Sequence, residues 1–285
     1  MDPQLTTWPA PAKLNLFLHI NRRRDDGYHD LQSIFQILDY GDTLTFQPTD
    51  DGNIDITSNY NEVPLQDNII YKAAKLLQQH TGCKKGCAIT LHKVLPTGGG
   101  LGGGSSDAAT TLIALNYYWQ LGLDNSELQE LGLQLGADVP VFVKGYSAFA
   151  EGVGEQLQPI ELEKNCYLVV NPGVQVSTGL VFNHPDLPRA TPEITKEEYI
   201  FSQTQNDCEA LVCILYPDIA KTLHRLLEYA PSRMTGTGAC LFSRFNNEAE
   251  ARKAAEFLPA NSQYFIANGV NISPVHLKLQ ELLKK

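Results

Sequence analysis

The first part of the chain has the residue alternation of a strand. Over residues 12–20, aliphatic side chains occupy every second position, and a period of two places neighbouring residues on opposite faces of a half-buried strand. Lys13 and Asn15 therefore share one face. A polar turn is predicted at 22–27 and a second β-like run at 28–38, which makes the start of the chain resemble a hairpin.

Helical patterns alternate with β-like runs over the rest of the chain. Asn68 before an apolar stripe and Gly82 after it predict the two caps of a helix. Ser126 and Gln129 have the spacing of a capping box, which begins a helix that stops at Gly136. Further helices are predicted at 108–119, 207–215, 218–229 and 248–257, and further strands at 43–47, 54–58, 88–94, 141–143, 146–150, 167–170, 239–245 and 264–267. This interleaving after a hairpin-like start favours a mixed α+β fold over a wholly parallel sheet.

Length and composition add few constraints. The chain has 285 residues, and about 150 residues per domain suggests two lobes or one large unit. Hydrophobic residues make up 43% and charged residues 19%, which is typical of globular proteins. The net charge of −10 argues against a nucleic-acid or anionic membrane surface, although a small anionic substrate needs only local positive potential. With neither a long apolar stretch nor a signal-peptide pattern, the expected location is the cytoplasm.

The cysteines predict ordinary reduced thiols. Six are scattered through the chain, whereas a small secreted scaffold would hold them densely. Cys83 and Cys87 are four residues apart, but no second Cys or His pair has a zinc-like spacing from them. A structural metal is therefore not expected.

The glycine-rich segment at 98–104 is the most informative part of the sequence. Six of its seven residues are glycine, and it lies between a predicted strand and a predicted helix. Ordering so many glycines costs conformational entropy on folding. They are therefore expected where the backbone must approach a partner closely or adopt positive φ. Main-chain N–H groups at the start of a helix bind anions such as a triphosphate, and Ser105 and Ser106 could cap the helix or reach a phosphate or its Mg²⁺. The alternative is a glycine-rich connector with a serine cap.

Familiar phosphate-binding motifs do not account for this segment. A Walker A loop needs a Gly-Lys-Ser/Thr sequence that is missing. Gly98, Gly100 and Gly103 match a dinucleotide fingerprint formally, but Asp124 falls in a loop, where that fingerprint needs an acid at the end of a second strand. The protein-kinase tripeptides are absent as well.

Two charged residues are candidates for chemistry. Asp138 stands among apolar neighbours, so it is either a paired structural carboxylate or a catalytic one. Lys13, on a polar strand face, is an equally open candidate for its partner. His29 alone would be a structural histidine, and the segment 235–239 is either a tight turn or a second place where the backbone lies against a ligand.

Three segments, 11–16, 95–106 and 235–239, together resemble the three signatures of the GHMP kinase superfamily. The resemblance extends to about residue 276. Further segments are similar to the branch that phosphorylates a diphosphocytidyl-linked methylerythritol; they are 26–29, 38–42, 136–142 and 230–240. This resemblance implies an α+β, two-lobed GHMP kinase fold, with a ribosomal protein S5 domain 2-like lobe at 1–158 and a ferredoxin-like lobe at 159–285. The active site would lie between the lobes.

The resemblance also implies an ATP-dependent kinase acting on the 2-hydroxyl of the cytidyl substrate, with ATP and Mg²⁺ as cofactors. Lys13 and Asp138 would be the catalytic pair, and Ser106 a magnesium ligand. The substrate would contact Asn15, Tyr28, His29, Thr178 and Phe182, with the cytosine held by Tyr28, His29 and Phe182. ATP would contact Asn68, Lys93, Pro96, Thr97, Gly98, Gly99, Gly100, Leu101, Gly102, Gly103, Gly104, Ser105 and Ser106.

One residue departs from the family pattern. Asp107 stands where some relatives carry Asn, and an acid is unhelpful beside phosphates unless a cation offsets it. The alternatives are another GHMP kinase of a different alcohol and a non-catalytic nucleotide-binding protein, which would be expected to lack Lys13 or Asp138. A monomer or weak homodimer is expected, without nucleic-acid or membrane partners.

Overall fold

The structure, a computed structural model, describes residues 6–60, 63–260 and 262–284. The prediction that no signal peptide begins the chain depends partly on residues 1–5, which lie outside these ranges. None of the described helices is long and apolar enough to cross a membrane. The strands are β1 (Thr7–Arg23), β2 (His29–Thr49), β3 (Ile54–Ser58), β4 (Gly86–His92), β5 (Ala148–Glu151), β6 (Gln156–Pro159), β7 (Cys166–Asn171), β8 (Ser232–Met234), β9 (Leu241–Phe245) and β10 (Gln263–Val270). The helices are α1 (Ile69–Thr81), α2 (Gly103–Trp119), α3 (Asn125–Leu135), α4 (Val139–Lys144), α5 (Thr178–Asn183), α6 (Glu209–Leu215), α7 (Pro217–Leu227), α8 (Glu248–Ala255) and α9 (Pro274–Leu283).

The strands form one mixed sheet that runs through both halves of the chain. Its order is β3-β4-β2-β10-β7-β9-β8, with β1 and β5 also paired to β2, and β6 paired to β5. All of these pairs are antiparallel except β3 with β4. The second strand is one long strand, where the sequence predicted two runs at 28–38 and 43–47. The predicted α+β class is confirmed.

Three buried clusters support the sheet. One packs α1 and α2 on the first strands, and another packs α6, α7 and α8 on the strands of the second half. The third, here called the central core, joins the two halves. It contains Leu14 from β1, Leu101 from the glycine segment and Phe242 from β9, all nearly inaccessible to water. Burying these groups fixes the first strand and the glycine segment against each other.

Local patterns were also wrong elsewhere. The first strand, predicted to be half-buried, is buried throughout residues 10–20, because β1 contributes side chains to all three buried clusters. The predicted strand at 141–143 lies in the helix α4, because a short apolar run does not distinguish a buried strand from a buried helix. Pro140 stands in the first turn of that helix, where its fixed φ suits helix formation. The capping box of α3 consists of Asp124 and Glu127 rather than Ser126 and Gln129, so the helix begins two residues early. The caps predicted for α1, Asn68 and Gly82, are confirmed.

The last helix was missed by the sequence patterns. α9 returns to the first half of the chain, where Val275 is buried in the cluster under α1 and α2. The final strand β10 also pairs with β2, through Gly269 with Leu38. The division of lobes at residue 158 therefore stays a prediction, since the end of the chain packs on the first lobe.

Candidate active site

Lys13 is held in a buried position on the first strand. Irregular pairing of β1 with β2 on either side of it breaks the regular ladder, and its N–H donates to the Leu101 carbonyl at 3.0 Å. Its Nζ donates to Asn15 Oδ1 at 2.6 Å and lies 3.4 Å from Asp138 Oδ2. The same ammonium stands 5.2 Å from the centre of the Phe35 ring. A nearly inaccessible cation with one amide and one carboxylate partner is a fixed positive charge.

Asp138 remains open to solvent beside this lysine. It precedes α4 and makes no side-chain capping bond, so its oxygens are not used by the helix backbone. Its side chain is 36% exposed, against 4% for that of Lys13. The sequence alone did not decide whether either residue is catalytic, and the fold brings them together although they stand far apart in the chain. The carboxylate is therefore accessible to a substrate while its partner is fixed.

The glycine segment forms a loop from residue 96 to 102 whose shape requires glycine. Gly98, Gly100 and Gly102 have φ of 71°, 75° and 71°, in the left-handed region that other residues avoid. A Cβ on Gly100 would lie 2.3 Å from the carbonyl oxygen of Thr235. The Cys240 N–H also donates to the Gly99 carbonyl at 3.1 Å, so the two glycine motifs pack on each other.

Two cavities border this loop and share three residues. The loop cavity has a volume of about 440 Å³, and a second cavity, here called the aromatic cleft, has about 490 Å³. Gly100, Ser105 and Asp138 line both. The predicted ATP residues other than Ser106 line the loop cavity: Asn68, Lys93, Pro96, Thr97, Gly98, Gly99, Gly100, Leu101, Gly102, Gly103, Gly104 and Ser105. The predicted substrate residues line the aromatic cleft: Asn15, Tyr28, His29, Thr178 and Phe182, with Lys13.

A buried ion triad supports the edge of the loop cavity. Lys93 Nζ lies 2.6 Å from Asp42 Oδ2 and 2.7 Å from Asp107 Oδ2. Asp42 also accepts the backbone N–H groups of Val94 and Leu95 at 2.6 and 2.8 Å, which fixes the approach to the loop. Burial, opposed by Lys93 and reinforced by Asp42, raises the pKa of Asp107 to about 7. Lys93 is therefore the cation that offsets the charge of Asp107. Asp42 and Asp107 in turn neutralise most of the positive charge of Lys93.

The far end of the aromatic cleft is built from both halves of the chain. The His29 ring stacks on Phe182 with centres 5.3 Å apart and 27° between planes. Thr178 Oγ1 hydrogen-bonds with Thr237 Oγ1 at 3.0 Å, while Tyr28 as a residue is 64% exposed. Thr237 and Gly236 belong to the segment that the sequence left open, and they line this cleft.

Two contacts between residues of the candidate site were missed by sequence reasoning. Arg189 Nε donates to His29 Nε2 at 3.0 Å, and no local pattern marks an arginine in a proline-flanked segment. Thr235 Oγ1 accepts the N–H of Asn15 at 2.9 Å, which links the third motif to the strand that carries Lys13. Both contacts join residues more than a hundred positions apart, so only the folded chain reveals them.

The residues of the site fit a magnesium ion brought by a nucleotide. In the described part of the chain, no group of three or more His, Cys, Asp or Glu side chains could hold a metal. Mg²⁺ commonly keeps its waters and the substrate phosphates and takes only one or two protein oxygens. The fully buried Ser106 hydroxyl has no hydrogen-bond partner, while Ser105 borders both cavities. Ser106 itself borders neither cavity, so its role as a ligand stays a prediction.

Comparison with known proteins identifies the class. The family model described as "GHMP kinases N terminal domain" matches residues 68–146, and the model described as "GHMP kinases C terminal" matches residues 193–262. The crystal structure of Methanococcus jannaschii mevalonate kinase has a TM-score of 0.68 at 16% identity, with 95% of this chain and 100% of that chain covered, which shows the shared fold. The chain is an ATP-dependent small-molecule kinase of the GHMP class.

Closer relatives specify the branch. The chain is 58% identical over 282 residues to 4-diphosphocytidyl-2-C-methyl-D-erythritol kinase of Pseudoalteromonas atlantica, with 99% of each chain covered. It is 56% identical over 284 residues to that of Shewanella woodyi, with 99% of this chain and 100% of the relative covered. A crystal structure of 4-(cytidine 5'-diphospho)-2C-methyl-D-erythritol kinase has a TM-score of 0.82 at 33% identity, with 93% of this chain and 100% of that chain covered. This chain belongs to the 4-diphosphocytidyl-2-C-methyl-D-erythritol kinase family.

Proposed function

We propose that this chain transfers the γ-phosphoryl group of ATP to the 2-hydroxyl of 4-diphosphocytidyl-2-C-methyl-D-erythritol, giving the 2-phosphate and ADP in the non-mevalonate route to isoprenoid precursors. The observation that carries the proposal is the meeting of two cavities at Asp138. One cavity is bordered by main-chain groups suited to a triphosphate, and the other by aromatic and polar side chains suited to a nucleoside-linked alcohol.

Asp138 orients the substrate hydroxyl and accepts its proton. Phosphoryl transfer asks the protein mainly to align the nucleophile with the γ-phosphoryl group and to neutralise charge. The exposed carboxylate of Asp138 is accessible from both cavities, as this role requires. Lys13 balances the charge of Asp138 and stabilises negative charge on the transferred group, because its ammonium is fixed by Asn15 and is nearly inaccessible to water.

The nucleotide is held mostly by main chain. The loop at 96–102 and the first turn of α2 offer N–H groups and the positive end of a helix dipole to the triphosphate. When bound, Mg²⁺ neutralises phosphate charge and fixes the geometry of the phosphates. Ser106, with a buried and unpartnered hydroxyl, and Ser105, at the junction of the cavities, are the side-chain oxygens that we propose for it.

The cytosine ring binds at the aromatic end of the cleft. Tyr28 and Phe182 supply flat surfaces for stacking, and His29 reads the edge of the base. Thr178 and Asn15 lie along the same cleft toward Lys13, where the alcohol would be placed.

We also propose a cytoplasmic location and a monomer or weak homodimer.

A coupled assay tests the substrate assignment directly. ADP release is measured with ATP and Mg²⁺ in the presence of the cytidyl substrate, mevalonate or homoserine, each against a reaction without acceptor. We expect release that depends on the cytidyl substrate, with the phosphate on its 2-hydroxyl. Release with mevalonate or homoserine alone would favour a different GHMP kinase, and release with none of the three would exclude the assignment.

A further inference from the structure

Arg189 lies directly behind the histidine of the aromatic cleft. Its Nε donates to His29 Nε2 at 3.0 Å. Its other nitrogens donate to three carbonyl oxygens, those of Leu187 at 3.1 Å, Phe182 at 2.9 Å and His184 at 2.8 Å. One guanidinium therefore ties the His29 ring to the backbone of the helix that carries Phe182.

This contact fixes which nitrogen of His29 carries the proton. A guanidinium only donates, so Nε2 must accept, and in a neutral ring the proton is then on Nδ1. Burial, then the charges of Arg189 and Arg23, lower the pKa of His29, so the neutral ring is the relevant form near pH 7. Nδ1 has no hydrogen-bond partner among the described residues, and it is not one of the fully buried nitrogen or oxygen atoms that lack a partner, so it keeps some exposure although His29 as a whole is 6% exposed. Since His29 lines the aromatic cleft, the unused N–H is available to a ligand there.

We propose that Arg189 is a positioning residue that holds His29 as the Nδ1–H tautomer, stacked on Phe182, and so makes the cleft select cytosine over uracil. The inference rests on the proposed function, because it names how the base of that substrate is read. A donor facing the ring nitrogen N3 meets an acceptor in cytosine and another donor in uracil. Two opposed donors leave a buried polar group unpaired, which disfavours the wrong base.

The tautomer is tested first, on the free enzyme. Nitrogen-15 NMR of histidine-labelled protein distinguishes a protonated from an unprotonated ring nitrogen, and loss of one signal set in His29→Gln assigns it. We expect protonated Nδ1 and unprotonated Nε2 in the wild type. In Arg189→Met we expect the proton to move largely to Nε2. A wild-type ring protonated on Nε2, or an unchanged ring in Arg189→Met, overturns the proposal.

Two further variants separate this effect from charge and from folding. Arg23→Met also removes a positive charge near His29, but Arg23 bonds Asn183 Oδ1 at 3.5 Å rather than the ring. We expect it to keep the Nδ1–H form. If Arg189→Met does not fold, Arg189→Lys keeps the charge, but one ammonium cannot serve four acceptors in this geometry. We expect Arg189→Lys to keep the Nδ1–H form at least in part, because an ammonium also only donates, and a ring protonated on Nε2 alone in that variant would contradict the proposal.

Kinetics with a cytidyl and a uridyl form of the substrate test selection. We expect Arg189→Met to raise the KM for the cytidyl form about tenfold, with little change in kcat, and to reduce the preference over the uridyl form by a similar factor. In a His29→Ala background the same change should have no further effect, because the two residues act as a unit. Additive losses would mean that Arg189 only holds the backbone of Phe182, His184 and Leu187, and would reject the proposal. A wild type that phosphorylates neither form would instead contradict the proposed function, while the NMR result would still stand.

Discussion

The two cavities that meet at Asp138 are built in different ways. The loop cavity takes half of its lining residues from one continuous segment, 96–105, whose glycines let the backbone itself form part of the wall. The aromatic cleft takes Lys13 from β1, His29 from the start of β2, Phe182 from α5 and Thr237 from the third motif. A triphosphate can be bound by repeated main-chain groups, whereas a base and an alcohol need particular side chains from distant segments.

The difference predicts that changes in each cavity affect one ligand, and changes at their junction affect turnover. Lys13→Met removes the fixed charge at the junction while keeping much of the side-chain volume. We expect kcat to fall by about 10²- to 10³-fold, as for loss of a group that stabilises transition-state charge. Steady-state kinetics with both substrates provides the measurement. Lys278→Met, which removes an ion pair with Glu281 in α9, is the control and should keep normal turnover. A Lys13 variant with normal kcat would remove Lys13 from the chemistry.

Phe182→Ala tests the aromatic cleft by itself. Base stacking on an aromatic ring is worth about 1–3 kcal/mol, so we expect the KM for the cytidyl substrate to rise by roughly 5- to 150-fold. The KM for ATP should stay the same. Leu180→Ala is the matched control, since Leu180 is on the same helix, is 46% exposed and does not line the cleft. A loss of ATP affinity in Phe182→Ala would show that the cleft is assigned to the wrong ligand.

Gly98→Ala tests the loop cavity by itself. Gly98 has φ of 71° and nothing within 4 Å of an added Cβ, so the change adds backbone strain without a clash. The loop can relieve this strain of about 1 kcal/mol in the free enzyme by leaving the left-handed shape, and it must restore that shape to bind ATP, which predicts a KM for ATP raised roughly fivefold and an unchanged KM for the cytidyl substrate. Gly82→Ala has the same strain and the same open space at the end of α1, outside both cavities. It should lose similar stability but keep the ATP affinity, and equal effects on ATP in both variants would contradict the role of the loop.

His276 separates acid effects on the fold from those on the site. Burial lowers the pKa of His276 below 6.5. The ring packs directly on Gly145, where an added Cβ would lie 2.1 Å from a ring carbon. Below pH 6.5 the unfolded chain binds protons more readily, so the free energy of unfolding falls as the pH decreases from there to the lowered pKa. Above that range the group contributes no pH dependence. We expect a smaller loss of stability between pH 7 and about 5.5 in His276→Gln, measured by urea unfolding. An equal loss of unfolding free energy in the wild type and in His276→Gln would contradict this role of His276.

The sequence was most informative where one local segment makes the structure. The glycine loop, the shared face of Lys13 and Asn15 and the caps of α1 follow from short patterns, and the structure confirms those local features. The helix α4 was misassigned because the five consecutive apolar residues at 139–143 carry no clear period. That error did not affect the position of Asp138, which precedes the helix.

Contacts between distant segments could not be derived from local patterns. Nothing near Asp107 in sequence announces that Lys93 and Asp42 share a buried site with it. The bond from Arg189 to His29 and the packing of residue 235 on the glycine loop are likewise products of the folded chain. The grouping of Tyr28, His29 and Phe182 was predicted only through the resemblance to GHMP kinases, because a cleft built from several segments has no single motif.

The central claim is that proton acceptance occurs at the carboxylate where the two cavities meet. Rapid-quench measurement of a single turnover by Asp138→Asn, with ATP and the cytidyl substrate both saturating, tests it most directly. The amide keeps the shape of the side chain but does not accept the proton, so we predict phosphoryl transfer slowed by about 10²- to 10⁴-fold. Calorimetric dissociation constants for both ligands should stay close to those of the wild type. Transfer at nearly the wild-type rate with both ligands bound would contradict the account.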